Sequence, residues 1–294
     1  MDKVAGKIKY GTRIETFAPR NKQRGPKRMR KQMQFKHVTL DFDGPVAVLK
    51  LDHQEVMNAV SLDMLGSLGE ALDAIEEKKA EVRCLVVTGA GRAFCTGANL
   101  QGRNNQKGKS NAGAALETAF HPFLRRLRKL HCPIVTSVNG PAAGAGMSFA
   151  LMGDMILCAR SSYFLQAFRR IGLVPDCGST WLLPRLIGKA RSVELSLMGE
   201  RLPAEKALEW GLVNRVYDDA VLAEETMKLA HELANGPTIA LSLIRKLYWD
   251  SPDNSFEDQL NLEFESQRTA GATEDFKEGV TAFLEKRPAK FRGQ

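Results

Sequence analysis

The sequence predicts an α/β core followed by an all-helical C-terminal module. Three observations carry this. Apolar runs of strand length alternate with segments of helical period over the first two-thirds of the chain. Two of those runs end in glycine-rich turns, at 89–91 and 139–146. Beyond Asp219 only helical period remains, broken at Gly236-Pro237, Ser251-Pro252 and Gly271. Strands mixed with helices, then helices alone, belong to one layered core with an appended helical unit.

Taken in order, residues 38–42 and 46–51 alternate in hydrophobicity around Asp43-Gly-Pro45, a strand–turn–strand signal. Ser61 is an N-cap for a helix running to about residue 79, with Leu65, Leu68, Leu72 and Ile75 on one face. Cys84-Leu-Val-Val-Thr88 is a buried-type strand that runs into Gly89-Ala-Gly91. The polar stretch 101–111 is a loop, and 114–130 a helix whose late Arg and Lys suit the helix dipole. A strand at 133–138, a helix of small and apolar residues at 142–152 and a strand at 154–159 follow. Short helices near 180–187, 192–198 and 204–210 precede a strand at 212–217. No simple internal repeat is present.

At 294 residues and 44% hydrophobic content the chain can bury a large core. Its formal net charge of +8 is unevenly placed: residues 1–32 carry +9 and the remainder −1. The basic character therefore belongs to the first residues, and the near-neutral body gives no support to nucleic-acid binding. Residues 1–33 read as a basic, disordered extension, residues 34–235 as the core and residues 236–294 as the helical module. A targeting peptide fits the extension less well, because Ser richness and an amphipathic period are missing. A polyanion-binding arm is the remaining reading. No apolar run reaches the roughly 18 residues that span a bilayer, and the first residues lack the apolar stretch of a secretory signal. Cys84, Cys95, Cys132, Cys158 and Cys177 show no paired metal spacing, which argues for reduced thiols and against a zinc site or a disulfide framework. A cytoplasmic protein is expected.

The chemistry concentrates between 139 and 188. Asn139-Gly-Pro-Ala-Ala-Gly-Ala-Gly146 follows an apolar strand. A phosphate loop is excluded because no Gly-Lys-Ser/Thr follows either glycine-rich turn, and the Gly-x3-Gly-x-Gly spacing of the second is not a dinucleotide fingerprint. Two readings stay open for the turns: tight helix–strand packing, or backbone N–H groups presented to a developing oxyanion. Asp176 is the only carboxylate between Asp154 and Glu194. It reads either as a helix N-cap after Pro175 or as an acid–base group.

The stretches His53-Gln-Glu-Val-Met-Asn-Ala59, 93–100, 139–154, 173–188, 204–213 and 278–291 together resemble the crotonase superfamily of enoyl-CoA hydratases and isomerases, over 34–294. The resemblance implies a ClpP-like spiral of ββα units with a C-terminal helical module for trimerisation and for covering CoA. It also implies an acyl-CoA thioester substrate, a homotrimer or dimer of trimers, and no metal or cofactor other than the substrate's own coenzyme A. By motif position, the N–H groups of Ala98 and Ala145 hold the thioester oxygen, the second aided by the helix it opens. CoA contacts fall to Met57, Ala59, Cys95, Thr96, Phe283 and Lys286, the last two as an i, i+3 pair on one helical face. Tyr163 and Gln166 are further candidates for the acyl pocket. Asn99 stands where the family usually has Asp, which touches a local turn contact and not the hole.

The same resemblance distinguishes reactions. Hydratases of the family hold water between two glutamates, whereas this chain has Ser148 and Phe168 at those positions. Asp176 occupies the place of the single acid in the isomerase branch, most like the phenylacetate-pathway enzymes. These open ring-epoxyphenylacetyl-CoA to its oxepin and shift 3-enoyl-CoA double bonds. An acyl-CoA isomerase is therefore expected, with Asp176 removing a C2 proton and returning it at C4. An apolar setting of Phe168, Val174 and Trp181 is expected to raise its pKa. The alternatives are a 2-enoyl-CoA hydratase with another acid arrangement, and a non-catalytic or RNA-associated member. Ser148 reads as a small helix residue, and His53 and His131 as surface or packing residues.

Overall fold

The computed structural model describes residues 31–100 and 113–294. The first 30 residues and the loop expected at 101–111 lie outside the described residues. β1 (Lys31–Phe35), β2 (Val38–Asp43) and β3 (Val46–Leu51) form an antiparallel meander. β1 therefore takes in the last three residues of the stretch read as the basic extension. Met33 and Phe35 pack on the core while the glutamines between and before them do not, a period-2 pattern masked by the Lys and Arg around it.

From β3 the chain crosses through α1 (Leu62–Glu77) to β4 (Cys84–Gly89), which pairs parallel with β3. β5 (Ile134–Val138), β7 (Met155–Ala159) and β10 (Arg215–Tyr217) extend the sheet in parallel, giving the order β1-β2-β3-β4-β5-β7-β10. The Ser61 hydroxyl caps α1 by accepting from Met64 N–H at 3.1 Å. Leu65, Leu68, Leu72 and Ile75 are buried, on the face that the 3.6 period predicts. Parallel strands need cover on both faces, and the sequence supplies it by alternation. Leu85 and Val87 of β4 join the α1 side of the core. Cys84 and Val86 meet Leu222, Leu229 and Ala230 of α7 (Leu222–Ala234) on the other.

α2 (His121–Arg128) is preceded by a π-helical turn, Leu116–Phe120, so the helix expected at 114–130 changes pitch within its length. The helix expected at 142–152 is divided. Ala142–Ala143 is a short strand, β6, and only Ala145–Ala150 is helical, α3. Gly144 separates them at φ 52, ψ −129, a conformation open to glycine and closed to residues with a Cβ. β6 pairs with β8 (Tyr163–Leu165), which pairs with β9 (Arg201–Pro203). This second sheet was invisible in the sequence because its strands are two or three residues long. The strand expected at 212–217 is confined to Arg215–Tyr217.

α4 (Ser179–Ile187), α5 (Lys189–Met198) and α6 (Ala204–Trp210) fall close to their expected places. The four helical segments beyond 219 are α7, α8 (Thr238–Asp250), α9 (Phe256–Gly271) and α10 (Glu274–Leu284). None of the described helices is long and apolar enough to cross a membrane.

All five cysteines are buried as free thiols. Burial pushes Cys95 and Cys132 up to about 12 and Cys158 up to about 11, and raises Cys84 and Cys177 as well, so none forms thiolate at neutral pH. The native protein at pH 8 is therefore expected to leave all five thiols unreacted with a thiol reagent, and the denatured chain to titrate all five. Rapid labelling of one thiol before unfolding would contradict this.

Candidate active site

Three chain segments are stitched together beside the sheet. Thr96 N–H donates to Met57 C=O at 3.2 Å, Val60 N–H to Gly97 C=O at 2.7 Å and Asn99 N–H to Val60 C=O at 2.8 Å. On the other side, Cys95 N–H donates to Pro141 C=O at 3.1 Å and Ala143 N–H to Cys95 C=O at 2.9 Å. The two glycine-rich turns thus lie against each other, and a Cβ on Gly144 would stand 3.9 Å from Gly97 Cα. Ala145 opens α3, so its N–H has no intrahelical acceptor. Because α3 has six residues and not the eleven expected, the dipole adds less at this end than a long helix would.

Gly146 makes the approach possible. A Cβ there would stand 2.1 Å from Cys95 C=O oxygen, closer than any real contact. Gly146→Ala is therefore expected to push α3 off the 95–98 segment. The expected cost is about 1–3 kcal/mol of stability and a larger share of activity, read by urea unfolding and by turnover. Wild-type stability in that variant would show the packing to be looser than described.

A pocket of about 610 Å³ opens at this junction. Thr96, Gly97, Ala98, Gly144 and Ala145 form its floor, and Leu116, Phe120, Phe168, Ile171, Leu173 and Val174 its apolar walls. Asp176 is the only carboxylate among the described residues lining it. The turn that carries it has two left-handed residues in succession, Cys177 at φ 52 and Gly178 at φ 83. α4 is capped by Gly178 without a side-chain hydrogen bond, so the Asp176 carboxylate is not its N-cap. Its Oδ1 is buried from solvent. The Cys177 thiol beside it is pushed well up, by burial first and by the Asp176 charge second.

The sequence profile of the enoyl-CoA hydratase/isomerase family matches residues 41–294. The chain belongs to that family. It is 44% identical over 251 residues to 1,2-epoxyphenylacetyl-CoA isomerase of Escherichia coli K12, covering 85% of this chain and 95% of that one. It is 38% identical to a probable enoyl-CoA hydratase of Rhodobacter capsulatus, covering 89% and 100%. A crystal structure of enoyl-CoA hydratase from Bacillus anthracis superposes with a TM-score of 0.83 at 29% identity, over 88% of this chain and all of that one. The fold is the crotonase fold.

At the two positions where hydratases of the family carry glutamates, Phe168 lines the pocket and Ser148 is fully buried outside its lining. Of the residues assigned to CoA, Thr96 lines the pocket. Cys95 is fully buried and Ala59 nearly so, which leaves chiefly their backbone to offer a ligand. Met57 sits at φ 53, followed by the buried Asn58 at φ 57. Asn58 anchors this turn by donating to Ala90 and Ala93 carbonyls at 2.9 and 2.8 Å.

Phe283 and Lys286 do not line the pocket. Phe283 is 83% exposed on α10. Lys286 lies beyond the helix end at φ 54, so the two do not share a helical face. The helix stops there because Arg287 N–H closes back on Ala282 C=O at 3.0 Å, which requires a left-handed residue at 286.

Tyr163 and Gln166 are also absent from the lining. Tyr163 packs under the Arg201 guanidinium, and Gln166 is buried against Met147. Trp181 stacks on Trp249 with ring centroids 5.6 Å apart and is no part of the pocket around Asp176. Val174 is 77% exposed. Of the three apolar residues expected around Asp176, Phe168 and Val174 line its pocket and Trp181 does not. Sequence reasoning missed His121, which lines the pocket with Leu116 and Phe120. Leu116 and Phe120 lie in the π-helical turn before α2, a change of pitch that the sequence does not signal.

Proposed function

We propose that the chain is an acyl-CoA isomerase that moves a double bond from the 3 to the 2 position of the acyl thioester. One observation carries this reading: a single carboxylate, Asp176, shares a pocket with the backbone of Ala98 and Ala145. The thioester oxygen sits between those two N–H groups. Asp176 takes the C2 proton as the C=O bond becomes an enolate C–O⁻. The electrons return through C2–C3 and C3–C4 as the same carboxyl delivers its proton to C4, leaving a C2=C3 bond and a restored carboxylate. Backbone donors aimed at the developing charge contribute on the order of 3–4 kcal/mol each. No cofactor enters beyond the coenzyme A of the substrate.

The isomerase name of the Escherichia coli relative supports this reading, and with it an acyl group derived from phenylacetate. A cytoplasmic homotrimer or dimer of trimers belongs to the same proposal. Phe256, Leu260 and Phe264, exposed four residues apart on α9, supply an apolar stripe for a second copy.

The Rhodobacter capsulatus relative favours a second reading, 2-enoyl-CoA hydration. Parallel assays separate the two. Formation of 2-enoyl-CoA from 3-enoyl-CoA supports the isomerase. Loss of the conjugated thioester absorbance from 2-enoyl-CoA, without isomerisation, overturns it.

A further inference from the structure

Ser148 is fully buried, and its hydroxyl donates to the backbone carbonyl of Asp176 at 3.1 Å. That carbonyl also accepts from Ser179 Oγ at 2.9 Å and Ser179 N–H at 3.0 Å. The two Ser179 bonds are local to the turn. The Ser148 bond spans 28 residues and comes from α3, the helix that Ala145 opens. Residues three apart on a helix lie on one face, so Ala145 N–H and Ser148 Oγ are held by the same turn. α3 is itself pinned, by Gly146 against Cys95 and by Thr136 Oγ1 donating to Ala150 C=O at 2.8 Å. The Asp176 turn is the costly partner, with a left-handed non-glycine at Cys177. Such a conformation persists only where its surroundings hold it.

We infer that Ser148 is a positioning residue, whose buried hydroxyl fixes the Asp176 turn relative to the N–H of Ala145. The inference rests on the proposed role of Asp176 in proton transfer. Its physical reason lies in the substrate. C2 is bonded to the thioester carbon, so once the thioester oxygen is held, covalent geometry dictates where a base must stand. A misplacement of about 1 Å costs on the order of 10²-fold. One hydroxyl linking the two halves of the site removes that freedom. Ser148→Ala keeps the helix and leaves the Asp176 carbonyl its two Ser179 donors, so the fold is expected to survive.

The test uses 3-enoyl-CoA in deuterated water with wild type, Ser148→Ala, Ser148→Cys, Asp176→Asn and the Ser148→Ala/Asp176→Asn double variant. Two quantities are read: deuterium entering C2, and 2-enoyl-CoA formed. Ser148→Ala is expected to lower both about tenfold, with KM within about twofold of wild type. Ser148→Cys, a weaker donor, should fall between. In the Asp176→Asn background the same change should cost less than about twofold, because no base remains to be positioned. Equal losses in both backgrounds, or no loss in either, would overturn the inference. If wild type exchanges C2 without forming 2-enoyl-CoA, the isomerase reading fails while Ser148 is still judged on exchange. If wild type shows neither exchange nor 2-enoyl-CoA formation that depends on Asp176, both fall.

Discussion

Asp176→Asn is expected to lower kcat for double-bond isomerisation by about 10²–10⁴-fold, the usual contribution of a positioned proton-transfer group. At 1.36 kcal/mol per decade this is about 3–5 kcal/mol of transition-state stabilisation. The amide is nearly isosteric, and the Ser148 and Ser179 hydrogen bonds reach the residue's backbone carbonyl. The unfolding midpoint should therefore stay within about 2–4 °C of wild type. KM should change little, because the group acts on a proton that moves only in the transition state. Wild-type turnover in this variant would remove Asp176 from the mechanism and direct attention to His121, which lines the same pocket.

The contrast between Asp176 and Phe283 shows which parts of this site a sequence can carry. The two glycine-rich turns that bring Ala98 and Ala145 to one pocket with Asp176 stand out in the sequence as runs of small residues. The helical face expected for Phe283 and Lys286 does not form, because a spacing of three implies a shared face only while the helix continues. The left-handed Lys286 ends it.

The main sheet was read nearly whole, since buried parallel strands such as β4 leave an unbroken apolar run. β6, β8 and β9 left no such run, and their pairing depends on contacts among residues far apart in sequence. Ser148 shows the same limit at the level of one residue. A small polar side chain on an apolar helix looks inert until the carbonyl it meets, 28 positions away, is in view.

The second large effect is structural. Arg245→Leu is expected to destabilise the protein by about 3–5 kcal/mol, the usual cost of leaving a buried charge without its partner. Arg245, on α8, is only 6% exposed and is one of the residues that tie that helix to the core. Its Nε pairs with Asp154 Oδ2, and its two terminal nitrogens donate to Leu130 C=O at 2.7 Å and Leu127 C=O at 3.0 Å. Burial raises the Asp154 carboxyl above its ordinary range even with the guanidinium beside it. The pair thus secures the placement of α8 at a desolvation cost, and adds less net stability than its geometry suggests.

Deleting the cation alone exposes that cost in full and takes a donor from two carbonyls, of which Leu127 C=O keeps Leu130 N–H at 3.2 Å. Asp154 also accepts from Ile134 N–H at 2.7 Å, at the start of β5, so its loss of charge balance reaches the strand that leads into the second glycine-rich turn. Adding Asp154→Asn to Arg245→Leu removes the buried charge while keeping an acceptor for Ile134. The double variant is expected to recover about 1–3 kcal/mol relative to Arg245→Leu, measured as urea midpoints at constant slope and fixed protein concentration. Additive losses would mean that the two side chains act independently, and that α8 is held by its apolar contacts alone.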